Sequence, residues 1–254
     1  MKEGVDTISG KHLRKGVLPI RACAGSIHDF PDSYLLRDAI HYFDEVISKE
    51  GPEGKNWLTV DYYGSELWFS KAKIKNGGKH SYVISPIDGR NKLSHKYANC
   101  TGVVAVGVDK KTGKEISFLS HQDPVYFLKE KERGEKFGQD LKRALQRLLR
   151  RSHKNTVDVV VFGGNMVFEK DDCREYRKSI EFLDDVIYSA TKMHPVVISG
   201  PKKFFGPETA AFNTEKRQLI LMRRDQQKGM IEPPIYRADN VANEEHIQVG
   251  WKTS

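Results

Sequence analysis

The stretch NCTGVVAVGVDKKTGKEISFLSHQDP, residues 99–124, constrains the fold more than any other part of the chain, because it reads as a single β-hairpin. Val103, Val104, Ala105, Val106 and Val108 make an apolar, β-branched run, Asp109 to Gly113 supplies turn residues, and Glu115 to Ser120 returns. The ribbon opens at Cys100 and closes at His121. If the chain turns through Lys110 and Lys111, these two residues stand directly opposite on one face, with Cβ atoms about 4.5 to 5.5 Å apart. A register displaced by two makes them diagonal neighbours on one face, and a displacement of one puts them on opposite faces.

A thiol beside an imidazole has a definite chemistry. An ordinary cysteine thiol titrates near ~8.5, so a neighbouring histidine that takes its proton yields a nucleophilic thiolate. The thiolate can attack a carboxamide or ester carbon, and the imidazolium can protonate the leaving group. A third polar group usually orients such an imidazole, and Ser94, Asn99, Gln122 and Asp123 are the nearby candidates. Thr101 and Gly102 could present backbone N–H groups to an oxyanion, and Gly163 and Gly164 could form the floor of the site. Each residue also has a plainer role: Cys100 as a small core residue, His121 as a polar strand end, the glycines as a simple turn. Cys23 and Cys173 are weaker nucleophile candidates, without a histidine in an obvious local geometry.

Around the hairpin the periodicity alternates between helix and strand. Residues 1–28 read as an arm or loop. Leu36, Ala39, Ile40, Phe43 and Ile47 predict a helix over about 33–49, capped by Asp32 or Ser33 and ended by Gly51 and Pro52. Residues 57–74 suggest two strands, and HSYVISPIDGRNKLSHKYAN a short strand followed by a loop. Beyond the hairpin, Leu141, Ala144, Leu145, Leu148 and Leu149 share one face of a charged helix, and TVDVVVFGG is a buried strand. Asp172 and Glu175, at capping-box spacing, introduce a further helix that ends before Pro195. Short strands follow at 195–199, about 209–213 and QLILMRR, and a tail rich in polar residues and prolines from Asp225 either drapes over the surface or wanders.

The order predicts a mixed α/β (α+β) fold with largely antiparallel, hairpin-built sheets flanked by helices. It has too few strand–helix crossovers, and no Gly-x-Gly-x-x-Gly, for a doubly wound nucleotide fold. The divisions expected are 1–82 as an extension or accessory part of the same domain, 83–224 as the main domain, and 225–254 as a tail.

The 254 residues suffice for a substantial core, and 38% hydrophobic with 30% charged residues is a globular balance. No apolar run reaches membrane-span length, and MKEGVDTISGKHLRKG has no apolar signal stretch. A cytoplasmic location, or export into a host cell without a classical signal, is therefore expected. The three cysteines form no Cys-x-x-Cys pair, so neither a disulfide framework nor a cysteine zinc site is indicated. Net charge is +8, and residues 129–154 alone hold ten Lys or Arg against four Asp or Glu. This charge can serve an acidic protein, nucleic acid or an anionic membrane, or be a solvated helix face. No zinc-finger, phosphate-loop or stacking-aromatic signature accompanies it, so nucleic acid is not the expected partner.

Residues 83–224 resemble the CheD-like glutamine deamidase superfamily, which comprises chemoreceptor deamidases and related bacterial toxin domains. The likeness lies in a joint order: a cysteine opening a strand (Cys100), a hydroxyl residue six positions before it (Ser94) and a histidine beyond the next strand (His121). A strand ending in Phe162, Gly163 and Gly164 with Asn165 and Met166 follows, and then a terminal hairpin, FNTEKRQLILMRR. The chain departs from the pattern with Asn99 before the cysteine, serine rather than threonine at 94, and a longer interval between cysteine and histidine. The resemblance implies a thiol-dependent protein-glutamine deamidase with Cys100, His121 and Ser94 as catalytic residues and no metal or organic cofactor. Its partner would be a protein bearing a surface glutamine. A cysteine protease or transglutaminase shares the same acyl-enzyme, and a non-catalytic binding module using the basic helix is the alternative from another class.

Overall fold

The computed structural model describes residues 12–26, 57–60, 82–94, 97, 100–164, 170–199, 208–223 and 235–237; the helix expected over 33–49 lies outside them. Two sheets and a helical layer stack on one another. The five-stranded sheet runs β1 (Arg21–Ser26), β10 (Gln218–Arg223), β9 (Glu208–Asn213), β4 (Asn91–Ser94), β2 (Trp57–Thr59). The six-stranded sheet runs β11 (Ile235–Arg237), β8 (Val196–Ser199), β7 (Asp158–Gly163), β5 (Thr101–Val108), β6 (Glu115–Gln122), β3 (Tyr82–Ile84). Pairing is antiparallel except for β1 with β10, β2 with β4, and β7 with β8. This is the mixed α/β class expected. Among the described residues, no helix is long and apolar enough to cross a membrane.

Strand alternation decides which residue enters which layer. Val104, Val106, Leu119, Val160 and Phe162 point towards the five-stranded sheet and meet Ala210, Phe212, Leu219 and Leu221. Val103, Ala105, Phe118, Val159 and Val161 point the other way, onto the helices. Those helices are α1 (Pro124–Lys129), α2 (Lys131–Arg151) and α3 (Lys170–Thr191). On α2 the buried stripe includes Phe137, Leu141, Leu145 and Leu148, the face that the heptad-like leucine spacing indicated.

Several elements differ from expectation, each because of a long-range partner. Residues 91–94, read as loop, form β4, which is sandwiched between β9 and β2. The arm contains β1, whose partner β10 lies at the far end of the chain. The tail contributes β11, which pairs with β8 and covers its edge. Strands β1 and β2, from the first 82 residues, thus pair with strands of 83–224. Helix α3 begins at Lys170, so Asp172 lies within it rather than before it.

The hairpin forms, with a longer turn than two lysines provide. Thr101 faces Gln122 and Val108 faces Glu115, a displacement of two positions from the expected register. The Asp109 N–H donates to the Lys114 carbonyl, and the Gly113 N–H to the Asp109 carbonyl, each at 2.8 Å. The Asp109 carboxylate accepts the Lys111 N–H at 2.7 Å, which secures a four-residue loop ending at Gly113 with φ +68°.

Candidate active site

His121 is the penultimate residue of β6, on the face turned to the five-stranded sheet. Its Nδ1 and the Ser94 hydroxyl share a hydrogen bond of 3.0 Å, so β4 of one sheet reaches β6 of the other. The Tyr97 ring stacks on the imidazole at 4.0 Å and 17°. That ring is held in turn by its hydroxyl, which donates to the Ser120 carbonyl at 3.2 Å, and by the edge of Phe162 at 5.0 Å. Of the residues expected near the imidazole, Ser94 is the one brought into hydrogen-bond contact with it.

Cys100 sits immediately before β5 and is present as a thiol. Continued by one residue, the observed register sets it diagonal to His121 on the same side of the sheet, not directly opposite as expected. The longer turn is the cause. Cys100 packs in the inter-sheet core with Tyr97 and Val104, and its N–H donates to the Tyr97 carbonyl. Between the Thr101–Gln122 and Val104–Leu119 pairs, the Val103 N–H donates to the Ser120 hydroxyl at 3.0 Å.

Gly163 and Gly164 back this cysteine. Their φ angles are +81° and +78°, the left-handed region that glycine alone enters without strain. The Gly164 N–H donates to the Cys100 carbonyl at 2.7 Å. A Cβ on Gly163 would stand 2.8 Å from that same carbonyl oxygen, and one on Gly164 would meet the Tyr176 ring at 2.5 Å. The Phe-Gly-Gly end of β7 is therefore shaped to let two backbones meet at Cys100.

The other candidates are placed elsewhere. Gln122 points to the opposite face, where its Nε2 donates to the Thr101 hydroxyl at 3.1 Å. Asp123 accepts the Val125 N–H at 3.0 Å at the start of α1. Burial pushes its carboxyl above the ordinary range, against the pull of that N–H and of Lys129. Thr101 and Gly102 lie within the central strand β5, paired to Gly163 and Phe162, not in an open turn that could serve as an oxyanion hole. Asn99 lies outside the described residues, as do the side chains of Cys23 in β1 and Cys173 in α3.

Sequence reasoning missed Tyr97 and the polar surroundings of β4. Lys92, two residues before Ser94, is fully buried; its ammonium donates to the Asp88 carboxylate and to the Arg90 carbonyl. Burial pulls the Lys92 ammonium down to about 8, although Asp88 opposes the shift. Two further polar links join β6 to the five-stranded sheet: Ser117 to Thr214 at 2.7 Å and Glu115 to Arg217 at 2.9 Å. With Ser94 and His121 they make a seam along alternate positions of β6. The signal was present in the alternation of EISFLSHQ, but its partners lie about 30 to 100 residues away.

Cys100 is 2% exposed, and Ser94 and His121 are fully buried. Among the described residues no group of three or more His, Cys, Asp or Glu side chains could hold a metal ion. The chain matches no protein-family model, no curated protein and no solved structure.

Proposed function

We propose that the chain is a thiol-dependent protein-glutamine deamidase of the CheD-like kind, acting through Cys100, His121 and Ser94. The observation that carries this reading is the Ser94–His121 hydrogen bond, on the same side of the sheet as Cys100. With Nδ1–H donating to Ser94, Nε2 is the ring nitrogen that would take a proton from the Cys100 thiol.

The reaction balances without a cofactor. The Cys100 sulfur bonds to the carboxamide carbon of a substrate glutamine, and the resulting tetrahedral centre expels nitrogen, which leaves as ammonia after taking the proton from His121. Water then adds to the thioester carbon with His121 as base. The carbon–sulfur bond breaks, glutamate is released and the thiol is restored. The substrate gains one negative charge, which is enough to alter an interface. Because Cys100 and His121 are buried, the sulfur meets a protein side chain only after the covering residues move, so substrate binding is coupled to opening.

The polar seam along β6 favours a second reading. Ser117–Thr214 and Glu115–Arg217 join the sheets without chemistry, and Ser94–His121 would then be one more such link in a non-catalytic binding module.

Alkylation of Cys100 by iodoacetamide, followed against pH in the native protein and in His121→Ala, separates the two. A deamidase has a Cys100 thiol whose enhanced reactivity is lost with the imidazole. Equal rates in both proteins sink the dyad. Mass spectrometry of protein partners then looks for the gain of about 1 Da on glutamine, with ammonia released and neither peptide cleavage nor amine incorporation.

A further inference from the structure

The end of the molecule opposite Cys100 carries a concentration of positive charge that three separate chain segments build together. The β5–β6 turn brings Lys110, Lys111 and Lys114, the last turns of α2 bring Arg147 and Arg150, the following loop brings Lys154, and the N-terminal segment brings Arg14 and Lys15. All eight side chains are exposed. Backbone bonds lock the segments to one another: the Lys110 N–H donates to the Arg151 carbonyl, the His153 N–H to the Val108 carbonyl, and the Arg14 N–H to the Asn155 carbonyl, each at 2.8 Å. The Lys110 ammonium also donates to the Arg150 carbonyl at 2.9 Å.

Two carboxylates of this end are already used, while Glu215 in the turn between β9 and β10 is exposed and offsets one of the positive charges. Asp109 is held by Arg151 at 2.7 Å, and Glu115 by Arg217 at 2.9 Å. No described carboxylate forms an ion pair with any of the eight cations. The patch lies about 25 Å from Cys100, the length of an eight-residue strand.

Its composition selects among anionic partners. Protein interfaces are depleted in lysine and anchored by aromatic or apolar side chains. Five of these eight residues are lysines, and the exposed large apolar side chains among the described residues are only Leu18 and Tyr188. A membrane-lying helix needs an unspent apolar face. That of α2 is consumed by the core through Phe137, Leu141, Leu145 and Leu148. Among the described residues the patch exposes no aromatic ring of the kind that stacks the bases of single strands. What is left is a rigid array of cations suited to closely spaced phosphates.

We infer that this basic end binds the sugar-phosphate backbone of double-stranded nucleic acid, independently of base sequence. This goes beyond the thiol site and does not depend on it.

Fluorescence anisotropy with a short duplex of RNA and one of DNA, both of mixed sequence, tests the assignment on the full chain. Binding to a duplex is expected to fall steeply with salt, with a log–log slope of about −4 to −6. The triple variant K110E/K111E/K114E should weaken it more than about tenfold and flatten the slope. The variant K131E/K136E/K178E changes net charge equally at other places and should stay within about threefold of the native protein. Circular dichroism checks folding, and K110Q/K111Q/K114Q carries the same comparison if the reversal disrupts the turn. The inference is overturned if neither duplex binds at low salt, if both triple variants weaken binding alike, or if polyglutamate or phosphatidylserine vesicles bind more tightly under the same conditions. None of these outcomes bears on the reactivity of Cys100.

Discussion

The hydroxyl of Ser94 and Nδ1 of His121 stand 3.0 Å apart, although 27 residues and two different sheets separate them. The contact fixes the orientation of a buried imidazole and ties β4 to β6. Ser94→Ala should lower the alkylation rate of Cys100 by roughly five- to tenfold, the kinetic equivalent of losing about 1 kcal/mol of hydrogen bonding. Ser94→Thr, which keeps the hydroxyl, should restore most of the rate. A stopped-flow comparison of the two variants across pH checks this, and an unchanged profile in Ser94→Ala would remove Ser94 from the site.

Tyr97 holds the same imidazole by its face and takes the Cys100 N–H on its carbonyl. Tyr97→Phe loses the hydrogen bond to the Ser120 carbonyl and should cost about 1 kcal/mol. Tyr97→Leu also loses the stack and leaves a gap in the inter-sheet core, and should cost about 3 kcal/mol. Chemical denaturation gives both values. Histidine nitrogen shifts should move in Tyr97→Leu more than in Tyr97→Phe.

Gly164→Ala should be among the most damaging single-methyl additions at the described glycines. The left-handed backbone costs an alanine about 1 kcal/mol, and the new Cβ would stand 2.5 Å from the Tyr176 ring. Thermal denaturation should show the midpoint falling by several degrees. Gly163→Ala should behave similarly and, by pressing on the Cys100 carbonyl, should change the thiol's alkylation rate as well.

The pair of partly exposed Asp88 and fully buried Lys92 predicts an asymmetric response. Asp88→Ala removes the carboxylate that compensates a buried ammonium and should cost about 3 to 5 kcal/mol. Lys92→Met removes the charge that burial disfavours and should be neutral or stabilising near pH 7, with Arg90 still holding Asp88. Burial holds the Lys92 ammonium down at about 8, below its ordinary value of 10.5, so in the window between them the unfolded chain binds the extra proton. Native stability therefore gains up to about 3 kcal/mol from this group as pH rises through the window. Urea titrations at the two ends of that window should show the advantage of Lys92→Met shrinking at the alkaline end. A constant advantage would contradict the burial argument.

How far the fold could be read from residues alone depended on the range of the interactions. The long helix of residues 131–151 and the strand at 158–163 were legible because periodicity within one segment records which face is buried. The hairpin was legible for the same reason, but its register was not. Lys110 and Lys111 read as a two-residue turn, whereas the Asp109 carboxylate and the left-handed Gly113 stabilise a longer one. That difference moved Cys100 from opposite His121 to diagonal from it. NKLS has no strand pattern of its own; β9 and β2, on either side of it, make it strand β4.

The order of residues by itself determined the helix of residues 131–151, the strand at 158–163 and the existence of the hairpin, because these follow from periodicity within a local stretch of backbone; the face that Cys100 and His121 share came with the observed register. Only the tertiary structure decided that Ser94, and not Gln122 or Asp123, meets the imidazole, that Tyr97 covers it, and that Gly164 closes on Cys100. Those contacts join residues of different strands, and no period within one segment encodes how two sheets pack.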